Sequence, residues 1–174
     1  MARGRRRSFI RRWYDAGLRS RDPYDRFFCF WIALVAAAQR RRTLTGIPFR
    51  EIYADREKVL EYFEGNKSII YDILLKNKDK MSFLASRKGA RHGHPVLDTR
   101  SLRLRRVLSD FSAHYNQGVP LPDDALVEAV AEIINKIRIN LFQGMEREDL
   151  ELLERVNPLL QEILGRCEFA ETRE

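Results

Sequence analysis

The stretch that most restricts the fold of this chain is Asp123 to Gly144, which reads DDALVEAVAEIINKIRINLFQG. Its apolar residues recur at spacings of three and four, a period that predicts a helix with one buried face. They are Leu126, Val130, Ile133, Ile134, Ile137 and Leu141. Acidic residues at the start suit the positive end of a helix dipole, and a glycine is common where a helix ends. The last turns change polarity, so this helix combines a buried face with a polar end.

The rest of the chain has the same helical period, and no stretch has the strict alternation of a strand. The pattern predicts an all-α bundle of five to six helices in a single domain over residues 13–174. The most apolar helix begins near Asp22-Pro23 and runs to Arg42, so we expect it at the centre. Weaker helical patterns cover 13–18, 49–63, 69–75, 102–115 and 146–166. Residues 81–99 contain Gly89, Gly93 and Pro95 without a sustained period, which predicts a long loop.

Charge is distributed very unevenly along the chain. Residues 1–42 carry twelve basic and three acidic side chains, a net charge of +9, whereas residues 120–174 carry six and thirteen, a net charge of −7. The whole chain has a formal net charge of +7. A basic half of this kind suggests a polyanionic partner, and the alternative is a solvated basic surface.

The first twelve residues, MARGRRRSFIRR, contain six arginines and no acid. We expect residues 1–12 to be a basic flexible arm because like charges repel one another. Such an arm either binds nucleic acid through phosphate contacts or only keeps the protein in solution. A second basic stripe is predicted on the exposed side of helix 102–115. The candidate RNA-binding residues are Arg5, Arg6, Arg7, Arg11, Arg12, Arg103, Arg105 and Arg106.

The residue types that hold metals or form disulfides occur without the usual spacing. Cys29 and Cys167 are far apart in the sequence and fit a reducing compartment with buried thiols. His92 and His94 have no further ligands near them in sequence, so a surface or phosphate contact is favoured over a metal site. We expect no metal and no other cofactor. The longest apolar run is shorter than the ~20 residues that cross a bilayer, so we expect a cytoplasmic protein without membrane contact.

Two stretches resemble one protein family. Arg138 to Gly144, RINLFQG, is similar to the RNNLFHG form of the signature of the HEPN superfamily, and Arg26 to Ala33, RFFCFWIA, resembles the first helix of related HEPN proteins. The leucine-rich helix after Gly144 also stands where the last helix of that family stands. Together these parts cover about half of the chain, and residues 43–119 do not align.

The resemblance implies a helical bundle that acts on RNA. Members of the family place an Arg and a His, separated by a short spacer, between their last two long helices. Two protomers then form a composite site for metal-independent RNA cleavage. By this resemblance the candidate catalytic residues are Arg138, Asn140 and Gln143. Arg138 would contact phosphate, since a guanidinium stays charged and pairs with phosphate oxygens.

This sequence departs from the family at the position of the histidine, where it has Gln143. An amide does not titrate near neutral pH, so Gln143 cannot be a general acid or base. A histidine from elsewhere is an open alternative, and His92, His94 and His114 are the three in the chain. In a further alternative, Arg138 and Asn140 only satisfy helix-end carbonyls and a neighbouring acid.

The sequence therefore supports two hypotheses. The first is a homodimeric HEPN-like RNA-binding protein of a toxin–antitoxin or defence system, and a degenerate or weak ribonuclease. Whether it is an enzyme stays open, because the general base is missing. The second is a non-enzymatic helical module that binds a partner protein, such as an antitoxin or a larger effector.

Overall fold

The structure, a computed structural model, contains seven helices in the residues that it describes, which are 2–44, 55–86, 123–142 and 150–170. The helices are α1 (Ala2–Arg19), α2 (Pro23–Leu44), α3 (Asp55–Gly65), α4 (Lys67–Lys76), α5 (Lys78–Ser86), α6 (Asp123–Phe142) and α7 (Leu150–Phe169). The described part of the chain contains no strand. The predicted all-α bundle is therefore confirmed, with seven described helices in place of five to six.

Helix α2 lies at the centre, as its composition predicts, and packs against α1, α3 and α7. Its buried residues are Phe27, Phe30, Trp31, Ala33, Leu34, Ala37 and Ala38. Helix α6 packs on α3 and α4, while α7 packs on α1, α2, α4 and α5. One hydrophobic core joins residues of all seven helices, so α6 is buried along the face that its period predicts.

The start of α2 confirms the prediction made from Asp22-Pro23. Oδ1 of Asp22 accepts hydrogen bonds from the backbone N–H groups of Tyr24 and Asp25 at 2.9 and 3.0 Å. Asp22 is thus an N-cap that satisfies donors with no partner inside the helix, and Pro23 occupies the first helical position, where its missing N–H costs nothing.

The prediction that the first helix begins at Trp13 is wrong, because α1 begins at Ala2. Residues 2–12, expected to be a basic flexible arm, therefore belong to the same helix as residues 13–19. Ile10 is 1% exposed and joins the core. Gly17 allows a close approach of α1 to α2, since a Cβ atom at Gly17 would lie 2.6 Å from Cε1 of Phe30. This packing stabilises a helix that its own charged sequence does not favour.

The predicted loop at 81–99 is wrong over its first part, because residues 81–86 belong to α5. Met81 and Leu84 are buried there, which gives the short helix an apolar face. The chain breaks between α4 and α5 only at Asn77, whose Nδ2 donates to the carbonyl of Ile73 at 2.8 Å and to Glu162 of α7 at 3.0 Å.

Several predictions fall outside the described residues. They are the remainder of the loop at 87–99, the helix at 102–115 and the predicted helical positions 49–54 and 146–149. Helix α3 ends at Gly65, as predicted, and α7 continues through Pro158. Among the described helices, none combines the length and the apolar character needed to cross a membrane.

Candidate functional site

Arg138 lies one turn before the end of α6 and its side chain is 29% exposed. Its Nη2 donates a hydrogen bond to Oδ2 of Asp55 at 3.2 Å. Its guanidinium carbon lies 5.5 Å from the ring centroid of Trp31 in α2. Arg138 is therefore held at the point where α2, α3 and α6 meet, between a carboxylate and an aromatic ring.

Asp55 is the first residue of α3, where a carboxylate also meets the positive end of the helix dipole. Lys58, one turn later, contacts Oδ1 of Asp55 at 3.3 Å. A second ion pair, between Arg56 and Glu132, joins the same two helices. The start of α3 is thus attached to α6 by two ion pairs, one of which holds the candidate site residue.

The guanidinium of Arg138, held by Asp55 and Trp31, is a cation that can bind an anion. The guanidinium of Arg138 is a planar cation with a fixed arrangement of N–H donors, and Trp31 supports its flat side. One N–H group of Arg138 already donates to Asp55. This contact fits the alternative in which Arg138 only pairs with a neighbouring acid. A phosphate that binds Arg138 has to compete with this carboxylate or share the guanidinium with it.

The other candidate catalytic residues are described less fully. The backbone of Asn140 is in α6, and Gln143 lies outside the described residues. His92, His94 and His114 also lie outside them, as do Arg103, Arg105 and Arg106. Of the three candidate catalytic residues, Arg138 is therefore the one whose side-chain contacts the structure describes.

The basic residues of α1 have separate environments. Arg11 pairs with Asp15 at 3.0 Å, and its guanidinium carbon lies 4.9 Å from the centroid of the Phe169 ring. Arg12 is exposed, and within the described residues it forms no ion pair. Arg5, Arg6 and Arg7 belong to the first turns of the same helix.

A buried polar cluster that the sequence did not indicate joins α2, α3 and α7. The side chain of Glu168 is 6% exposed and accepts hydrogen bonds from Nη2 of Arg40 at 2.5 Å and from the hydroxyl of Tyr62 at 2.8 Å. The neighbouring Arg41 donates to the carbonyl of Gly65 at 2.8 Å and so caps the end of α3. Arg40 and Arg41 therefore connect helices, in addition to complementing the dipole of α2.

Burial raises the pKa of two groups at this cluster, Cys167 and Tyr62. It raises the pKa of the Cys167 thiol to about 11, with a further contribution from the charge of Glu168. Burial also raises the pKa of Tyr62 well above its ordinary value, again helped by Glu168. Both groups stay protonated at neutral pH, which makes Cys167 a weak nucleophile.

A groove with a volume of about 320 Å³ lies between α3, the start of α4 and the start of α6. Leu60, Phe63 and Val127 form its apolar part, and Glu64, Lys67, Asp124 and Glu128 line it as well. Lys67 pairs with Asp124 at 2.8 Å across the groove. With three carboxylates and one ammonium group, the groove is unsuited to a phosphate.

Within the described residues, no group of three or more His, Cys, Asp or Glu side chains could hold a metal ion. The described residues around Arg138 therefore include no preformed metal site. Comparisons with protein-family models, curated proteins and solved structures gave no match for this chain.

Proposed function

We propose that this chain is a cytoplasmic HEPN-like RNA-binding protein that forms a homodimer around Arg138 and cleaves RNA weakly or not at all. It would belong to a toxin–antitoxin or defence system. The observation that carries the proposal is the position of Arg138, a permanent cation at the polar end of the long helix α6 that is partly open to solvent. The basic α1 and the resemblance of RINLFQG to the family signature support it.

The chemistry assigned to Arg138 is phosphate binding and stabilisation of charge. RNA cleavage through the 2′-hydroxyl builds negative charge on the phosphorus oxygens, and a fixed guanidinium stabilises that charge. Proton transfer needs a second group, and Gln143 does not supply it. General acid–base catalysis contributes typically about 10²–10⁴ in rate, so the proposal is for strong binding with weak cleavage.

The first test compares two arginines in similar surroundings. Arg155 of α7 lies over the ring of Phe83 at 5.1 Å, as Arg138 lies over Trp31. Arg138→Gln and Arg155→Gln therefore remove the same charge and the same kind of ring contact. RNA affinity and cleavage are measured in EDTA by fluorescence anisotropy and gel analysis. We expect Arg138→Gln to weaken binding about tenfold, as for one lost charge-assisted contact of about 1.5–3 kcal/mol, and Arg155→Gln to change it less than about twofold. Equal effects of both variants would remove the special role of Arg138.

The second test addresses the carboxylate that holds Arg138. Asp55→Asn removes the competing charge, so we expect RNA affinity to rise several-fold, and the rise to disappear when Arg138→Gln is added. Glu132→Gln is the matched control, because Glu132 carries the same charge at the same helix–helix contact but pairs with Arg56. A rise in Glu132→Gln as large as that in Asp55→Asn would mean that only the overall charge matters.

The third test addresses catalysis. If the remaining site is complete, Gln143→His supplies the missing acid–base group and raises cleavage by up to about 10²–10⁴. Loss of this gain in the double variant with Arg138→Gln would place both residues in one site. Unchanged cleavage by Gln143→His would show that more than one group is missing.

The ion pair of Arg138 with Asp55 favours the second candidate function, a non-enzymatic module that binds a partner protein. In that case Arg138 stabilises the bundle, and its loss lowers the free energy of unfolding without affecting RNA. The two candidates differ in their response to salt. RNA affinity that falls steeply with ionic strength supports the first, and tight binding of a protein partner without RNA affinity supports the second.

A further inference from the structure

The solvent-facing side of α1 carries an exposed aromatic residue one turn from an exposed arginine. Phe9 is 46% exposed and stands three residues before Arg12, which is one turn of the helix. This face of α1 therefore combines an exposed aromatic ring with an exposed arginine.

The Phe9 ring is held in place from below. Trp13, one turn later, makes an edge-type contact with it at a centroid distance of 6.2 Å and an interplanar angle of 62°. Trp13 packs against the hydrophobic core and so anchors the pair to the bundle. An aromatic ring that is fixed and nearly half exposed is a surface on which a second flat ring can stack at a small entropic cost.

The charges beside Phe9 are available to an anion. Arg12 and Arg19 are exposed and, within the described residues, form no ion pair. They are seven residues apart, so they fall on one line of the helix about 10 Å from one another. The acid on this helix, Asp15, pairs with Arg11 instead. One edge of α1 thus combines a stacking ring with cations that follow the helix axis.

We infer that this face of α1 binds single-stranded RNA, with a base stacked on Phe9 and the backbone phosphates along Arg12 and Arg19. The inference rests on the proposed RNA-binding function and adds the kind of RNA and the surface that selects it. Bases are available for stacking only where they are unpaired, while phosphates are present in every RNA. Phe9 therefore supplies the preference for single strands, and the arginines supply affinity that depends on salt.

The geometry of α1 argues against a membrane or an apolar protein partner at this face. A helix that lies on a membrane needs its apolar residues along one side. The other exposed apolar residue, Leu18, is nine residues from Phe9, which places it on about the opposite side of the helix at 100° per residue. The centre of a protein interface is depleted in charge, whereas the exposed Arg12 lies one turn from Phe9.

The test uses the full-length protein and two labelled RNAs of about 12 nucleotides, within the range that one single-strand site covers, one unstructured and one fully paired. Fluorescence anisotropy gives the affinity for each. Phe9→Ala is expected to weaken binding of the unstructured RNA by about 5- to 100-fold, the effect of one lost base stack, and to leave the duplex almost unchanged. Phe9→Trp keeps a stacking ring and should restore the affinity. Arg12→Gln should lower the dependence of log affinity on log salt by about 0.7.

Leu18→Ala is the matched control, because Leu18 is 43% exposed on the same helix but offers no ring. We expect its affinity for both RNAs to equal that of the wild type. Circular dichroism checks that each variant is folded. Wild-type binding of RNA with no loss in Phe9→Ala, or with equal losses in Phe9→Ala and Leu18→Ala, overturns this inference and leaves the proposed function standing.

Two further outcomes count against the inference. If the wild type binds neither RNA, the proposed function fails as well. If vesicles that contain anionic lipid bind the protein, and Phe9→Ala and Leu18→Ala both reduce that binding while RNA binding is unaffected, then α1 is a membrane-surface helix and not an RNA platform.

Discussion

At the scale of single residues, the buried carboxylate of Glu168 is the shared hydrogen-bond acceptor of two other side chains. Arg40 and Tyr62 both donate to it, and its side chain is almost fully buried. Removal of one member of a buried ion pair leaves the other charge without compensation, which costs about 3–5 kcal/mol when the site is fully buried. Arg40 remains about a quarter exposed, which reduces the expected cost.

We therefore predict that Glu168→Ala lowers the free energy of unfolding by roughly 2–3 kcal/mol, measured by urea denaturation. Asp72→Ala is the control, because Asp72 also pairs with an arginine, Arg166 at 2.6 Å, but is 43% exposed. Exposed ion pairs contribute little to stability because solvent screens them, so the control should be close to the wild type. Similar small losses in both variants would show that burial does not strengthen the Glu168 cluster.

Among the candidate catalytic residues, the structure describes the side chain of Arg138, and its role in a site stays a prediction. The sequence indicated that Arg138 is a cation at the polar end of α6, and the structure places it there. It did not indicate Asp55 or Trp31 as neighbours, because they lie 83 residues or more away in sequence and meet Arg138 only after three helices pack. The roles of Asn140 and Gln143 stay predictions.

At the scale of helices, the sequence predicted a helix boundary correctly where neighbouring residues determine that boundary. The start of α2 follows from Asp22 and Pro23, which act on the backbone beside them. The predicted start of α1 was wrong because its N-terminal half is an arginine-rich stretch with few apolar residues, and the burial of Ile10 in the core depends on packing between helices. Helix α5 was missed for a similar reason, since Met81 and Leu84 form a short apolar face that only packing against neighbouring helices stabilises.

The contact of α1 with α2 leads to a test at Gly17. A Cβ atom there would lie 2.6 and 2.8 Å from two ring carbons of Phe30, a residue at the centre of the core. Alanine is favoured over glycine inside a helix by up to about 1 kcal/mol, but overpacking of this kind costs about 1–3 kcal/mol. We predict that Gly17→Ala lowers the free energy of unfolding by roughly 1–2 kcal/mol net.

Gly165→Ala is the matched control in α7. Its Cβ atom would lie 3.0 Å from the hydroxyl oxygen of Tyr14, a less severe contact than the distances of 2.6 and 2.8 Å at Gly17. We expect Gly165→Ala to be neutral or slightly stabilising in the same denaturation measurement. A stabilising Gly17→Ala would mean that the α1–α2 contact is loose.

At the scale of the whole molecule, the basic charge lies on an element of the bundle itself. Residues 1–42, with a net charge of +9, form α1 and most of α2. Helix α1 packs on α2 and α7, so its described cations Arg11, Arg12 and Arg19 belong to an element of the bundle. A basic surface on a packed helix loses less conformational entropy on binding than a flexible arm does, so the proposed RNA-binding function would use a defined contact at α1.

The integration of α1 into the bundle is testable by two truncations. A chain that begins at residue 13, the predicted start of the domain, loses Ile10, and removal of a buried Ile side chain costs about 2–5 kcal/mol. We predict a loss of at least that size, seen as a lower urea midpoint or a broadened transition. A chain that begins at residue 8 keeps Ile10 and all the described side chains of α1, and it should unfold close to the wild type although four arginines are missing.

Comparable stability of the chain from residue 13 and the full chain would restore the division into a flexible arm and a separate domain. Loss of RNA affinity in the chain from residue 8, with its stability retained, would assign part of the binding to the first turns of α1.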